Sequence, residues 1–364
     1  MASECPTIDS SRVSGASPAA LLGLGTAVPP CQLDQRDIAT IVRGLFAERY
    51  PDFERLVSVF YTAGIARRHI ARPPEWYMQP RHWPDRMEAY VEGAEPLFIE
   101  AAEKALSAAG LAASEVDTIV TISSTGIATP SLEARVAGII GFRPDVSRVP
   151  VFGLGCAGGA AGLSLAARLA EARPGTNVLM VAVELCSLAF RLDQLSKANI
   201  VATALFADGA AAAVVRAGAE GLCRIEAAAE HTWPDSLNIM GWTVDPEGLG
   251  VIFDREIPPF AERHFGPAVE GMLARMGLAK ADVGRFCCHP GGSKVIQALE
   301  TTLDLERRSL DHERAVLADY GNMSSPTVLF VLERLLQAGL PERTILTALG
   351  PGFSAQCVSL ARHS

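Results

Sequence analysis

The chain repeats itself. The segments AAEKALSAAGLAASEVDTIVTISSTG, from Ala101, and AVEGMLARMGLAKADVGRFCCHPGG, from Ala268, follow one plan. Each has an amphipathic helix, then Gly-Leu-Ala, then an acid followed by valine, then an apolar strand. Gly110, Leu111, Ala112 and Val116 match Gly277, Leu278, Ala279 and Val283, 167 residues apart. The same offset carries Val178 of VLMVAVE onto Ile345 of ILTALGPG, and each of these strands follows a helix that ends in a Pro/Gly break. Several matches at one offset mark an internal duplication. Strands alternating with helices predict a mixed α/β layered fold with largely parallel strands. AALLGLGTAVP reads as a further buried strand, and ALFADGAAAAVVRA as the turn and strand closing the first half. The boundary falls near residue 218, giving halves 1–218 and 219–364. Duplicated halves pack about a pseudo-twofold axis, across which equivalent turns face each other. Cys156 is equivalent to Met323 of DYGNMSSPTVLF, so the turn of Cys156 is expected to face that of Asn322.

Composition removes several function classes. The 364 residues are 49% apolar and 20% charged, enough for a large buried core. A formal charge of −9 without a basic patch argues against a nucleic-acid partner. No run of apolar residues is long enough for a transmembrane segment. The N-terminal MASECPTIDSSRVSG has neither the basic nor the apolar region of a signal peptide, so a cytoplasmic protein is expected. Eight cysteines are scattered, at 5, 31, 156, 186, 223, 287, 288 and 357, without a C-x-x-C pair for zinc. Most sit in apolar runs, as small core residues do.

GLGCAGGAAG, Gly153 to Gly162, admits two functional readings. Gly153, Gly155 and Gly158 satisfy the G-x-G-x-x-G of a dinucleotide-binding turn. Against it, the preceding strand RVPVFG is short and holds Pro150, and the acid that such a site needs, Glu184, comes late. The other reading takes Cys156 as a nucleophile. A cysteine at the first turn of a helix lies among unpaired N–H groups and the positive end of the helix dipole, which stabilise the thiolate. The flanking glycines then leave room for a substrate. A core cysteine in a tight turn is the plain alternative.

RFCCHPGGSK places His289 just past a buried strand, where α/β folds build their sites; it reads as an imidazolium partner for the thiolate, as an acid/base, or as a solvated turn histidine. Asn322 alone reads as a helix cap. The duplication brings its turn to Cys156, and Cys, His and Asn converging from three turns read as one site.

The motifs GLGCAGG, LFADGAAA, CHPGG, YGNMSSPTVLFVL and GPGFS occur in an order and spacing that resemble the type III polyketide synthases, the chalcone-synthase-like enzymes, over nearly the whole chain. The resemblance implies the duplicated thiolase fold, with αβαβα layered halves about a pseudo-twofold axis, and a homodimer. It implies a catalytic triad of Cys156, His289 and Asn322, and acyl-CoA and malonyl-CoA as substrates, with no metal or other cofactor. His289 would keep the Cys156 thiolate ionised, and with Asn322 would stabilise the enolate formed as malonyl-CoA loses carbon dioxide. In the related 3-ketoacyl-carrier-protein synthase III the histidine is followed by Gln-Ala-Asn, where this chain has Pro290-Gly291-Gly292. Gly350, Pro351 and Gly352 also follow the polyketide synthases.

Pocket residues follow from the same resemblance. Phe206 matches a gatekeeping phenylalanine between CoA tunnel and cavity. The second gatekeeper is read as replaced, with Val251 as its match. Cys186, Ala189, Ser324 and Thr125 fall at cavity positions, and Thr129 falls where plant enzymes carry a methionine that crosses the dimer. Small residues at these places, with the loop MGWTVDPEGLGVIF, resemble bacterial alkylpyrone or alkylresorcinol synthases and imply a long-chain fatty acyl starter. Ala189 and Val251 also read as ordinary core. Arg67 and Arg68 are candidates for the CoA phosphates, or a solvated basic pair. Two rival functions remain: a single-condensation ketoacyl synthase, and a catalytically silent thiolase-fold partner subunit.

Overall fold

The computed structural model describes residues 17–50 and 53–363; Cys5 and the N-terminal stretch read for a signal peptide lie outside them. The strands are β1 Ala19–Ala27, β2 Cys31–Asp34, β3 Arg67–Ile70, β4 Thr118–Ser123, β5 Ser147–Phe152, β6 Asn177–Leu185, β7 Asp208–Ala217, β8 Cys223–Thr232, β9 Met240–Asp245, β10 Gly248–Phe253, β11 Arg285–Cys288, β12 Arg343–Gly350 and β13 Ser354–Ala361. The helices are α1 Gln35–Phe46, α2 Phe53–Leu56, α3 Ser58–Thr62, α4 Pro74–Tyr77, α5 Trp83–Ala109, α6 Leu132–Ile140, α7 Gly158–Ala172, α8 Lys197–Leu205, α9 Ile257–Arg275, α10 Ser293–Thr302, α11 Asp311–Tyr320 and α12 Thr327–Ala338.

Among the described residues, nine strands form one sheet in the order β11-β12-β13-β8-β1-β7-β6-β4-β5. Read outward from the β1–β8 junction, the order is the same in both directions: β7 matches β13, β6 matches β12, and β4 matches β11. The junction is short, Ala19, Ala20 and Leu21 lying opposite Ile225, Arg224 and Cys223. β5 has no counterpart and forms an edge, where Pro150, lacking an N–H, costs no ladder bond on its open side. The strands are not largely parallel, as the sequence led us to expect. β4 pairs in parallel with β5 and β6, and β11 with β12; the other pairs in the sheet are antiparallel. The closing strand of each half turns back on its predecessor, from β6 to β7 and from β12 to β13.

The 167-residue offset is exact in one structural detail. Turns of 3-10 helix occupy Ala113–Glu115 and Lys280–Asp282. In each, the acid reaches back to cap the turn: Glu115 accepts from the Ala112 N–H and Asp282 from the Ala279 N–H, both at 2.8 Å. The acid before each valine is therefore a cap that aims the following strand.

The helices α7 and α12 form the middle layer, and α7 packs on strands of both halves. α5 covers the outer face of the first half and α9 that of the second, giving the αβαβα layering of the thiolase fold. β7 is almost all alanine and valine because both its faces are buried. Ala211, Ala213 and Val215 point into the core around α7 and α12, and Ala210, Ala212 and Val214 into the core under α5.

The glycines of GLGCAGGAAG serve this middle layer. A Cβ on Gly159 would lie 2.2 Å from the Ser325 carbonyl oxygen, and one on Gly158 2.9 Å from the Ser325 side chain. Gly155, at φ +48°, faces Pro351, which a Cβ would approach to 2.6 Å. These residues make room for the backbone of the other half rather than for a substrate. Gly159→Ala is expected to destabilise the protein by about 3 kcal/mol, because the opposing atom is backbone and cannot turn away. Denaturant melts of the variant measure it, and an unchanged midpoint would show that the two helix starts are not locked together.

Candidate active site

Cys156 sits in a 3-10 turn, Gly155–Ala157, that runs into α7. The Gly155 N–H donates to Ser124 Oγ at 3.0 Å, fastening the turn to the end of β4. His289 follows β11, and its N–H donates to the Thr347 carbonyl at 2.9 Å. Asn322 lies between α11 and α12. Its N–H donates to the Leu205 carbonyl at 2.9 Å, and its carbonyl accepts from the Ala207 N–H at 2.8 Å. That pair pins the second-half turn directly beside Phe206 of the first half. The three side chains, all under 8% exposed, line one chamber with Met240, Phe253, Phe265, Thr347 and Leu349.

Asn322 is held on both sides. Its Oδ1 accepts from the Ser324 N–H at 2.9 Å, and its Nδ2 donates to the Gly291 carbonyl at 3.2 Å. Ser324 adopts φ +61°, a left-handed conformation costly for a serine, and its side chain, like that of Asn322, favours the Cys156 thiolate. Both nitrogens of the His289 ring are buried and unpartnered, so the ring's hydrogen-bonding capacity is kept for the chamber.

Burial sets the electrostatics. It pushes the Cys156 thiol up to about 11, against the pull of Ser324 and Asn322 and with a further push from Glu184. It pushes the His289 imidazole down to about 4. Neither group ionises alone at neutral pH.

Glu184, the acid that a dinucleotide site would have required, is fully buried at the end of β6. It accepts from the Ser124 N–H at 2.9 Å, the Thr125 hydroxyl at 2.8 Å and the Ser325 hydroxyl at 3.0 Å. It faces no ribose; it ties β4, β6 and the Asn322 turn together. Burial raises its carboxyl to about 7. Thr125 spends its hydroxyl on Glu184 and on the Leu185 N–H, and lies behind the chamber instead of lining a cavity.

Phe206, Cys186, Ala189 and Val251 line a second cavity of about 90 Å³, which runs on to Ile38, Ile41, Val42 and Leu45 of α1. A third opening, flanked by Arg55, Lys197, Arg255 and Lys294, shares Phe253, Ile257, Gly291 and Val295 with the catalytic chamber.

Comparison with known proteins places this arrangement. The N-terminal domain of the chalcone and stilbene synthases matches residues 8–219, and their C-terminal domain residues 224–360. The chain belongs to the chalcone and stilbene synthase family. It is a type III polyketide synthase, an acyltransferase that draws on malonyl-CoA. The 1,3,6,8-tetrahydroxynaphthalene synthase of Streptomyces peucetius subsp. caesius is 40% identical, over 92% of this chain and 91% of that protein. A 3,5-dihydroxyphenylacetyl-CoA synthase of Amycolatopsis balhimycina is 31% identical, over 92% of this chain and 90% of its own length. Among solved structures, the 1,3,6,8-tetrahydroxynaphthalene synthase of Streptomyces coelicolor A3(2), a bacterial type III polyketide synthase, superposes with a TM-score of 0.89 at 28% identity, covering 94% of this chain and 99% of that one.

Phe253 meets the Phe206 ring edge-on, centroids 6.0 Å apart, and lines both the chamber and the basic mouth. Val251, two residues earlier on the same face of β10, lines the second cavity together with Phe206. Two expectations about this polyketide synthase's pocket need correcting. Arg68 does not reach the CoA phosphates. It is buried, and its guanidinium donates to Gln35 Oε1 and to the Thr203, Ala204 and Phe206 carbonyls, holding the end of α8 behind the gate. Arg67 is exposed and pairs with Asp319 at 2.9 Å, away from the mouth. Gly350 and Pro351 pack on Ala157 and Gly155, and so back the cysteine turn, while a Cβ on Gly352 would meet open space.

The dependence of the Cys156 thiolate on His289, which the family resemblance implies, is testable. Iodoacetamide is expected to alkylate Cys156 at pH 7 at least about tenfold more slowly in His289→Ala than in the unaltered enzyme, because a lone buried thiol stays protonated. Equal rates would show that the thiolate does not depend on the imidazole.

Proposed function

We propose that this polyketide synthase takes a long-chain fatty acyl starter and cyclises the extended chain to an alkylpyrone- or alkylresorcinol-type product. The observation that carries this reading is the cavity wall beyond the gate. Ile38, Ile41, Val42, Leu45 and Ile70 make it aliphatic, a surface suited to an alkyl chain.

In this reading Cys156 passes its proton to His289 and its sulfur attacks the thioester of the acyl-CoA. The acyl group moves to Cys156, and CoA leaves with the proton held by His289. Malonyl-CoA then enters through the basic mouth. Asn322 Nδ2 and the His289 ring donate to its thioester oxygen as carbon dioxide departs and enolate charge develops there. The enolate carbon attacks the acyl-Cys156 carbonyl, freeing the thiolate and lengthening the chain by two carbons. Nucleophile, proton acceptor and donors are all side chains, so the reading calls for no cofactor beyond the CoA thioesters. The working unit in this reading is a cytoplasmic homodimer. Exposed Phe152 on the edge strand β5, and exposed Ile127 in the loop that leads to Thr129, supply apolar surface for it.

A second reading rests on the relatives named for tetrahydroxynaphthalene, and takes a fused aromatic as the product. A panel of acyl-CoAs from C2 to C20, each with malonyl-CoA and no carrier protein, separates the two by product mass. Products that carry the fatty chain plus several two-carbon units are expected. Narrowing the cavity by Ala189→Phe is expected to shift the preferred starter to shorter chains. A single aromatic product whatever the starter would favour the second reading, and products of one extension only would overturn both.

Lys294 tests the mouth. Lys294→Glu is expected to raise KM for malonyl-CoA about tenfold with a smaller effect on kcat, through repulsion of the CoA phosphates. An unchanged KM would place the CoA elsewhere.

A further inference from the structure

Tyr77 and Ser187 stand together on the wall of the gated cavity and take no part in the steps above. They are the visible end of a hydrogen-bonded chain. Tyr77 Oη lies 2.6 Å from Ser187 Oγ, and Ser187 Oγ hydrogen-bonds Asp208 Oδ2. Asp208 opens β7, two residues past the gate phenylalanine, and is fully buried. Its carboxyl is fixed in place by the Ser187 N–H at 2.7 Å and the Ala71 N–H at 2.6 Å. The Arg72 N–H donates to Tyr77 Oη at 3.2 Å.

One proton sets the direction of this chain. With Asp208 as a carboxylate, Ser187 donates to it, Tyr77 donates to Ser187, and the cavity meets only a phenol lone pair. With Asp208 protonated, its O–H donates to Ser187, Ser187 donates to Tyr77, and the Tyr77 hydrogen is released towards the cavity. We propose that Tyr77 is a product-determining residue, whose hydroxyl, when the Ser187–Asp208 chain behind it is reversed, donates to a carbonyl oxygen of the poly-β-keto chain and selects the fold in which that chain cyclises. This rests on the reading that the gated cavity holds the growing chain.

The titratable groups around Asp208 are Arg68 from β3, Cys31 from β2, Tyr77 from α4 and Cys186 from the turn after β6. Burial holds Asp208 up to about 7, partly offset by its hydrogen bonds and by Arg68. Burial likewise raises the two thiols and the phenol, and lowers Arg68 to about 9. The Tyr77 donor is therefore available below about pH 7 and withdrawn above it. Glu184, also near 7, faces Cys156 and Cys186, so a pH effect counts for this chain only if it disappears with Tyr77 or Ser187.

The full-length enzyme with malonyl-CoA and lauroyl-CoA, at pH 6, 7 and 8, provides the test. The ratio of its two main cyclised products is read by mass and retention. In the unaltered enzyme the ratio is expected to move at least about threefold between pH 6 and 8, the worth of one neutral hydrogen bond. Tyr77→Phe and Ser187→Ala are expected to hold it flat, near the unaltered enzyme's pH 8 value. If Tyr77→Phe fails to fold, as judged by circular dichroism, Ser187→Ala decides. A ratio in these variants that follows pH as in the unaltered enzyme overturns the proposal. Ala189→Phe separates the two failures. If it alters chain length while Tyr77→Phe behaves as the unaltered enzyme does, only the role of Tyr77 falls. If it alters neither chain length nor product ratio, the cavity does not hold the chain, and both readings fall.

Discussion

The starts of α7 and α12 touch backbone to backbone, and the site depends on that contact. Gly158 and Gly159 admit Ser325 at distances no side chain would allow. Asn322 and Ser324 thereby reach Cys156, while Ser325 reaches Glu184. A single methyl group between the two helices would separate the nucleophile from the groups that tune it. The contact also explains why burial is so complete: the chamber lies where two halves of one sheet close on a shared helical layer. That burial in turn keeps thiol and imidazole from ionising separately.

In the proposed reading, catalysis and specificity come from different parts of the chain. Cys156 and Asn322 stand just before α7 and α12, which the duplication relates, and His289 follows β11, the counterpart of β4. The cavity is built from elements that the duplication does not repeat. The excursion between β6 and β7 supplies Cys186, Ser187, Ala189 and Phe206, where the second half passes from β12 to β13 in a tight turn. The β9–β10 hairpin supplies Trp242, Val251 and Phe253, and α1 and α4 close the far wall. A duplicated frame holds the chemistry fixed, and single-copy additions leave the product free to vary.

What the sequence made legible follows the same division. The offset of 167 placed Asn322 opposite Cys156 and paired the strands of the halves, because each matching element sits in the same packing environment. The cavity had no such internal copy to read against. Arg68 looked like a surface cation because a basic pair usually is one; only the fold shows three carbonyls waiting for it at the end of α8 and Gln35 beside them on α1. The glycines around Cys156 were read as space for substrate, since the atoms that fill that space lie about 167 residues away in the chain. Strand direction at β7 and β13 was hidden for a simpler reason: a strand buried on both faces shows no alternation to read.

The central claim is that Cys156 carries the acyl chain in a chamber completed by the second half. Peptide mass spectrometry after brief exposure to a long-chain acyl-CoA, without malonyl-CoA, measures this directly. One acyl group per chain on the peptide holding Cys156 is predicted, and none in Cys156→Ala. An acyl group on Cys186 or another cysteine, or no adduct at all, would contradict it.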